Sequence, residues 1–240
     1  MKRIMTIQDI SCVGKCSLTV ALPVISAAGI ETSVLPTAVL STHTAFPSFT
    51  FKDLTDEIQP IGDTLQNLQI DFDALYTGYL GSFKQIQLVE EFIDKFKSEN
   101  NFVLIDPAMA DNGKMYSGFN EDFADRMALL CSKADLIVPN LTEASFMLHI
   151  PYRETYDEEY IKEVLVSLTK LGAKSAAISG VSFNDNEIGF YLYDSETKKF
   201  SYYFNEKLPA LYHGTGDVFA SATLAGYMNG LSVHDSLVLA

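Results

Sequence analysis

Short apolar segments rich in β-branched residues alternate along this chain with longer segments of helical periodicity. Parallel neighbouring strands need a crossover connection, usually a helix, and the helices then cover both faces of the sheet. The alternation therefore predicts an α/β fold with a mostly parallel central sheet flanked by helices. Strands are expected at residues 4–7, 33–40, 74–77, 102–105, 136–138 and 175–178, and helices at residues 17–28, 53–68, 82–97, 121–132, 157–171 and 218–228.

Two late segments, residues 188–193 and 200–204, are separated by a short polar turn and predict an antiparallel hairpin added to the sheet. The 240 residues suffice for one domain with a well-buried core, and we find no internal repeat or linker. We therefore expect a single domain over residues 1–240. The segment from Leu231 to Leu237 resembles an N-capped helix that is just beginning, so we expect the natural protein to continue with further helices.

Charge limits the possible partners of this protein. It has 31 acidic and 17 basic residues, a formal net charge of −14, and such a surface repels nucleic acid and anionic membranes. An anionic substrate would need a local positive field from metal ions and helix N-termini. Three cysteines without a CxxC pair indicate reduced thiols. With no apolar run typical of a signal peptide or a membrane span, a cytoplasmic location is expected.

The strongest chemical signal is Gly214-Thr215-Gly216-Asp217, which directly precedes a predicted helix. Glycines let the main chain approach a ligand closely, and the free N–H groups of a helix start form an anion site. An acid at that point can take the proton of an attacking hydroxyl during phosphoryl transfer. The structural alternative is that Asp217 only caps the helix. A P-loop is excluded, because Cys16 stands where that motif needs Ser or Thr.

Acidic and amide side chains follow two further predicted strands. Asp106 and Asp111 lie in one loop, and Asn140 and Glu143 lie at the next strand-to-helix turn. Ligands of parallel sheets bind at the carboxyl ends of the strands, and Mg²⁺ takes one or two carboxylates together with phosphate oxygens. These acids are therefore candidate Mg²⁺ ligands. For Glu143 the structural alternative is a capping box with Asn140 as the N-cap residue.

A histidine, a hydroxyl and an aromatic ring follow two other predicted strands. His43 and Thr44 lie after one of them and Tyr79 after the other. Together they can recognise a planar polar ring. The structural alternative, which each of them favours when taken alone, is an ordinary core or surface residue. His43 is a poor metal candidate, because no Cys or His lies near it in the sequence.

In this order and spacing the motifs resemble the ribokinase-like family, and within it the pyridoxal kinase branch, over nearly the whole chain. The resemblance rests on Ile7-Gln8-Asp9 with Val13-Gly14, Ser41-Thr42-His43-Thr44, Gly78-Tyr79-Leu80-Gly81-Ser82, Asp106-Pro107-x-Met109, Pro139-Asn140-x-x-Glu143 and Gly214-Thr215-Gly216-Asp217.

The resemblance implies phosphorylation of the hydroxymethyl group of vitamin B6 forms by ATP and Mg²⁺, through direct in-line transfer. Asp217 would be the base, and the N–H groups from Gly214 to Gly216 would hold the phosphoryl group. The branch forms homodimers and has no separate lid domain. Asp106 and Glu143 would organise Mg²⁺. The implied nucleotide contacts are Asp106, Asn140, Glu143, Ser179, Gly214 and Gly216, and the implied vitamin pocket is Asp9, His43, Thr44, Tyr79 and Asp217.

The chain departs from that branch at two places. Asp9 stands where the branch usually has Ser, and a carboxylate there would favour a protonated pyridine nitrogen or accept a hydrogen bond from a ring hydroxyl. The structural alternative is that Asp9 caps the turn before Ser17 and faces water. The second departure is the early C-terminus, because the last helices of the family help to build the adenine pocket.

Two functions are alternatives to the phosphorylation of vitamin B6 forms. The first is a hydroxymethylpyrimidine kinase of thiamine synthesis, a related branch with a similar ring alcohol as substrate. That branch carries a Gly-Gly-Ala-Gly-like run where this chain has residues 11–16 without that pattern. The second is a vitamer-binding protein without catalysis, against which the intact Gly-x-Gly-Asp motif argues.

Overall fold

The structure is a computed structural model that describes residues 1–44, 46–210 and 212–240. Its contacts divide the chain into two compact units. The first unit comprises Met1–Leu104 with Tyr212–Ala240, and the second comprises Ile105–Leu211. The single domain expected from the sequence, and the continuation of the natural protein beyond Ala240, stay predictions.

Strands and helices alternate through most of the chain. The strands are β1 (Arg3–Ser11), β2 (Glu31–Leu40), β3 (Phe51–Asp53), β4 (Ala74–Thr77), β5 (Phe102–Ile105), β6 (Ala110–Asp111), β7 (Lys114–Met115), β8 (Leu136–Ile137), β9 (Ser175–Val181), β10 (Glu187–Asp194) and β11 (Lys199–Glu206). The helices are α1 (Leu18–Ala27), α2 (Thr55–Asn67), α3 (Phe83–Phe96), α4 (Glu121–Cys131), α5 (Leu141–Met147), α6 (Glu158–Thr169), α7 (Thr215–Met228) and α8 (Val233–Leu239).

In the first unit, β1 lies between two parallel neighbours. Ile4 pairs with Thr32 of β2 on one side and with Ala74 of β4 on the other, so the strand order is β4-β1-β2-β3. The short strand β3 joins the free edge of β2 in antiparallel orientation. Helix α1 packs against β1, β2 and α7, and α2 packs against β2 and α3. Ile4 and Leu35 are fully buried beneath these helices.

In the second unit the strand order is β8-β9-β10-β11. β8 and β9 are parallel, with Leu136 beside Ser175, whereas β10 is antiparallel to both β9 and β11. The separate two-stranded ribbon β6–β7 lies beside α5. Helix α6 packs on β9 and β10 and buries Ile161 and Leu165 completely.

The α/β fold with parallel central strands, flanking helices and a late antiparallel hairpin is confirmed. Predicted strands 74–77 and 102–105 coincide with β4 and β5. The predicted end of the first strand at residue 7 is wrong, because β1 continues to Ser11. The polar pair Gln8 and Asp9 suggested an end, but both side chains are buried within the strand. Within the described ranges, no helix has the length and apolar character needed to cross a lipid bilayer.

Candidate active site

Asp9 lies at an irregularity in the pairing of β1 with β2. The register shifts between Gln8 and Ile10, and the partner of Gln8 is Pro36, which has no N–H to donate to the ladder. Such bulges bend a strand and re-aim its side chains. Asp9 is only 4% exposed. The interpretation in which Asp9 faces water is therefore wrong.

Two serine side chains lie near the Asp9 carboxylate. Ser11 Oγ lies 3.2 Å from Asp9 Oδ2 and donates to it, and the side chain of Ser17 is the other. Burial raises the pKa of Asp9 above its usual value, and the two serines oppose that shift because they stabilise the charged form. Burial is the larger of these effects, so the pKa of Asp9 stays above its usual value.

The loop between β1 and α1 passes close to His43. Gly14 has φ +112°, and a Cβ atom there would lie 2.3 Å from the Cδ2 atom of His43, so only glycine fits. The His43 ring lies between Phe46, with a centroid distance of 4.7 Å, and His213, at 4.8 Å. Burial and the neighbouring His213 lower the pKa of His43, which favours its neutral form. Thr44 is exposed on the loop that follows.

Helix α7 begins where the motif from Gly214 to Asp217 predicts it. Gly214 is the N-cap residue with φ 80°, and Asp217 lies in the first turn. A Cβ atom at residue 214 would lie 1.8 Å from the carbonyl oxygen of Lys15. Thr215 and Gly216 are exposed, so the first N–H groups of the helix, which lack intrahelical partners, are accessible to an anion.

Asp217 has the properties of a base that works near neutral pH. Burial raises its pKa to about 6, and the negative charge of Asp9 adds to the shift. The main-chain N–H of Ser17 lies near the Asp217 carboxylate and opposes the shift. Part of Asp217 remains accessible to solvent. An accessible carboxylate with a raised pKa can accept a proton from a bound hydroxyl group.

Tyr79 completes the group around Asp9. It follows β4 and Gly78, and burial followed by the charge of Asp9 raises the pKa of its hydroxyl. The first unit thus brings the predicted residues Asp9, Tyr79 and Asp217 into electrostatic contact. His43 lies on the neighbouring loop, against Gly14.

The second unit contains the predicted nucleotide and metal residues. Asn140 Oδ1 accepts from the N–H of Glu143 at 2.9 Å, and the N–H of Asn140 donates to Glu143 Oε2 at 2.8 Å. This is a complete capping box at the start of α5, so the capping interpretation of Glu143 is confirmed. The other carboxylate oxygen, Oε1, accepts from the N–H of Met109 at 3.2 Å.

Asp106 and Glu143 form a pair of buried acids. They are 8% and 3% exposed, respectively. Burial raises the pKa of Glu143 well above its usual value, and the negative charge of Asp106 raises it further. In the chain as described, no group of three or more His, Cys, Asp or Glu side chains is placed to hold a metal ion. Mg²⁺ often takes only one or two carboxylates, and a cation would relieve the repulsion within this pair, so the residues fit such an ion.

Asn140 and Ser179 lie side by side and are paired through their main chains. The N–H of Ser179 donates to the carbonyl oxygen of Pro139 at 3.0 Å, and Ser179 forms an isolated parallel bridge with Asn140. The amide of Asn140 donates to the carbonyl oxygen of Ala110 at 2.8 Å. Asn140 therefore joins the turn before α5 to the ribbon β6–β7.

Two residues beside the site, Ser17 and His213, were not predicted from the sequence. Ser17 looked like the first residue of an ordinary helix, and its contacts with Asp9 and Asp217 depend on residues distant in the sequence. His213 directly precedes the Gly-x-Gly-Asp motif, and this adjacency could have indicated that it lies beside the site.

Comparison with known proteins gives consistent matches. Residues 30–240 match the model of a family described as phosphomethylpyrimidine kinase. A pyridoxal kinase of Dictyostelium discoideum is 28% identical over 239 residues, which cover 92% of this chain and 77% of that protein.

Two solved structures superpose closely on this chain. A Bacteroides thetaiotaomicron protein with the provisional name phosphomethylpyrimidine kinase, solved in a crystal form with pyridoxal, is 39% identical. Its TM-score is 0.95, over 99% of this chain and 84% of that one. Pyridoxal kinase from Lactobacillus plantarum is 30% identical, with a TM-score of 0.90 over 99% of this chain and 84% of that chain.

Proposed function

We propose that this chain, which belongs to the phosphomethylpyrimidine kinase family, is an ATP-dependent kinase of vitamin B6 forms. Its substrates are pyridoxal, pyridoxine and pyridoxamine, and the acceptor is their 5′-hydroxymethyl group. The relatives named pyridoxal kinase, and the 39% identical protein solved with pyridoxal, support this choice of substrate.

The environment of Asp217 supports this function most directly. It lies in the first turn of α7, directly after two glycines, and its pKa is raised to about 6. Above that pH Asp217 is ionised and can accept the proton of the substrate hydroxyl. The accessible N–H groups from Gly214 to Gly216 are suited to hold the transferred phosphoryl group. The residues of this unit thus supply both the base and the anion site.

The pocket for the vitamer ring is assigned to the residues around Asp9. A buried carboxylate favours the protonated form of a pyridine nitrogen or accepts from a ring hydroxyl. Tyr79 and His43 offer aromatic surface to a planar ring. The neutral form of His43, favoured by its lowered pKa, can accept as well as donate a hydrogen bond. We include Thr44 on the exposed loop beside His43 as a further contact.

ATP and Mg²⁺ are assigned to the second unit. Asp106 and Glu143 would hold the ion, and Asn140 and Ser179 would contact the nucleotide phosphates. When bound, Mg²⁺ neutralises charge on the phosphate oxygens. Both oxygens of Glu143 already accept main-chain N–H groups. Glu143 therefore acts most simply through a water molecule.

Phosphorylation of a hydroxymethylpyrimidine is the second candidate function. The name of the matched family and the provisional name of the 39% identical protein favour it. The substrate is again a ring alcohol, so Asp217 would have the same role. We also propose that the protein is a homodimer, which sedimentation or light scattering of the purified protein would test; the cytoplasmic location stays a prediction.

A substrate panel tests the proposal. The purified protein, ATP and Mg²⁺ are incubated with each of the three vitamers and with hydroxymethylpyrimidine, and the phosphorylated product is quantified by chromatography. We expect turnover of at least one vitamer and a lower kcat/KM for the pyrimidine. A higher kcat/KM for the pyrimidine would favour the second candidate, and binding of vitamers without any product would indicate a protein that only binds them. Asp217→Asn is the matched inactive control.

A further inference from the structure

Gln85 is a buried amide at the centre of a hydrogen-bond network in the first unit. It lies in the first turn of α3 and is 1% exposed. A buried amide destabilises the fold unless its donors and its acceptor find partners. Gln85 Oε1 accepts from the N–H of Gly81 at 2.7 Å. Its Nε2 atom lies within hydrogen-bond distance of three oxygens: the Thr37 carbonyl at 3.0 Å, Thr55 Oγ1 at 3.1 Å and Asp53 Oδ1 at 3.2 Å.

The acceptor side of Gln85 holds the turn that carries Tyr79. Gly81 lies two residues after Tyr79, and Leu80 between them is fully buried. A Cβ atom at Gly81 would lie 3.6 Å from Gln85 Oε1 and 3.8 Å from Cε1 of the Tyr79 ring. The amide and the aromatic ring therefore pack on the same glycine. The position of the ring thus depends on the hydrogen bond from Gly81 to Gln85.

The donor side of Gln85 reaches the bulge opposite Asp9. At the register shift between β1 and β2, one residue of β1, Asp9, faces two residues of β2, of which Thr37 is the first. A bulge interrupts the ladder between two strands, so main-chain groups within it need other partners. The Thr37 carbonyl oxygen accepts from Gln85 Nε2 and from the N–H of Leu54, each at 3.0 Å. Gln85 therefore joins the bulge beside Asp9 to the turn that carries Tyr79.

We propose that Gln85 is a positioning residue that sets the Tyr79 ring against Asp9. It does so by holding Gly81 through its carbonyl oxygen and Thr37 through its amide nitrogen. This role rests on the proposed function, in which Tyr79 and Asp9 line the vitamer pocket. Gln85 is buried too deeply to touch the substrate itself. The competing interpretation is that Gln85 joins α3 to β2 and α2 and contributes to stability alone.

Two substitutions divide the network of Gln85. Gln85→Met keeps the length of the side chain and removes all of its hydrogen bonds. Gln85→Glu keeps an oxygen for the N–H of Gly81 but places a second carboxyl group beside Asp53. Gln85→Met should raise KM for the preferred vitamer about three- to tenfold, the range expected for one hydrogen bond, and change KM for ATP by less than about twofold. Gln85→Glu should have a lower melting temperature than the wild type and a vitamer KM within about twofold of it.

Gln87→Met is the matched control. Gln87 is an exposed glutamine of the same helix, and its Nε2 atom donates to Glu91 Oε1 at 2.9 Å. This variant should keep wild-type values of KM for both substrates. A wild-type vitamer KM in Gln85→Met would overturn the proposal, as would equal increases in KM for the vitamer and for ATP.

A background without the Tyr79 ring provides the specific test. In Tyr79→Ala, adding Gln85→Met should change the vitamer KM by less than about twofold, because no ring remains to be positioned. If Gln85 stabilises the fold alone, its effect does not depend on the ring. An increase that persists undiminished in Tyr79→Ala would therefore refute the positioning role.

Two measurements on the ligand-free protein separate this role from the proposed function. Hydrogen exchange of the Gly81 N–H should become about tenfold faster or more in Gln85→Met and stay close to the wild-type rate in Gln85→Glu. The pKa of the Tyr79 hydroxyl, which burial and the charge of Asp9 raise, should fall towards its usual value in Gln85→Met. Unchanged exchange at Gly81 or an unchanged Tyr79 titration overturns the proposal whether or not the wild-type protein phosphorylates any vitamer. If both change as expected and no vitamer is phosphorylated, only the proposed function is refuted.

Discussion

The start of helix α7 and the β1–α1 loop meet at one contact: Gly214 packs so closely on Lys15 that a Cβ atom at residue 214 would lie 1.8 Å from the Lys15 carbonyl oxygen. This contact sets the position of the N–H groups that follow Gly214. It makes the glycine a steric requirement as well as a conformational one, because its φ is 80°.

Gly214→Ala should therefore abolish activity as well as reduce stability. Positive φ alone costs an alanine about 1–2 kcal/mol, and displacement of the Lys15 carbonyl adds to that. Gly29→Ala is the matched control, because Gly29 has the same φ of 80° and nothing lies within 4 Å of its Cβ position. We expect a similar conformational penalty but unchanged kcat in Gly29→Ala. Equal kcat values for the two variants would contradict a role for Gly214 in the anion site.

Asp217→Asn should lose activity and gain stability at neutral pH. The pKa of Asp217 is raised to about 6, so the folded state loses stability as pH rises through that value. An amide avoids the loss, which is on the order of 3 kcal/mol at pH 8 and close to zero at pH 4. Loss of the base should lower kcat about 10²–10⁴-fold with little change in vitamer affinity. Melting temperatures at both pH values and steady-state kinetics test this, and a kcat within threefold of wild type would refute the role.

The pH dependence of kcat/KM should report the ionisation of Asp217. Activity should fall as pH drops below about 6, because the protonated carboxyl group cannot accept the substrate proton. In Asp9→Asn a negative charge near Asp217 is removed, which lowers the pKa of Asp217. The acidic limb of the profile, where kcat/KM falls with decreasing pH, should therefore move to lower pH. A limb at the same pH in both proteins would show that Asp9 does not influence the base.

Replacing either acid of the second unit should weaken the response to Mg²⁺. Asp106→Ala and Glu143→Ala are expected to raise the Mg²⁺ concentration for half-maximal rate. Glu143→Ala should also destabilise α5 by about 1 kcal/mol through loss of the capping box. Asp157→Ala is the matched control, since the Asp157 carboxylate caps α6 through the N–H of Tyr160 at 2.9 Å. If Glu143→Ala behaves like Asp157→Ala, with lower stability and an unchanged Mg²⁺ response, Glu143 is a capping residue only.

Asp9→Ser should alter the preference among vitamers. A carboxylate stabilises a protonated ring nitrogen, and one pKa unit corresponds to about 1.4 kcal/mol, whereas a serine offers a neutral hydrogen bond worth about 1 kcal/mol. The ratios of kcat/KM for pyridoxal, pyridoxine and pyridoxamine should therefore change, with a smaller effect on KM for ATP. Identical ratios in the two proteins would show that Asp9 does not contact the ring.

Local sequence was sufficient for features whose cause is local. The strands β4 and β5 follow from short apolar runs between turn residues, and the cap formed by Asn140 follows from a side chain that bonds the N–H group three residues later. The strands β3, β6 and β7 were missed, because segments of two or three residues carry no periodicity and become strands only through their partners.

The sequence by itself determined the α/β class, because hydrophobic periodicity distinguishes strands from helices. It also determined the Gly-x-Gly-Asp start of α7, because these residue types suit few other backbone conformations. Only the tertiary structure decided that Asp9 is buried at a bulge and that burial, together with the charge of Asp9, raises the pKa of Asp217. The two acids are 208 positions apart in the sequence (217 − 9). Burial and charge interaction depend on distance in space, and a short-range pattern carries no information about residues that the fold brings together.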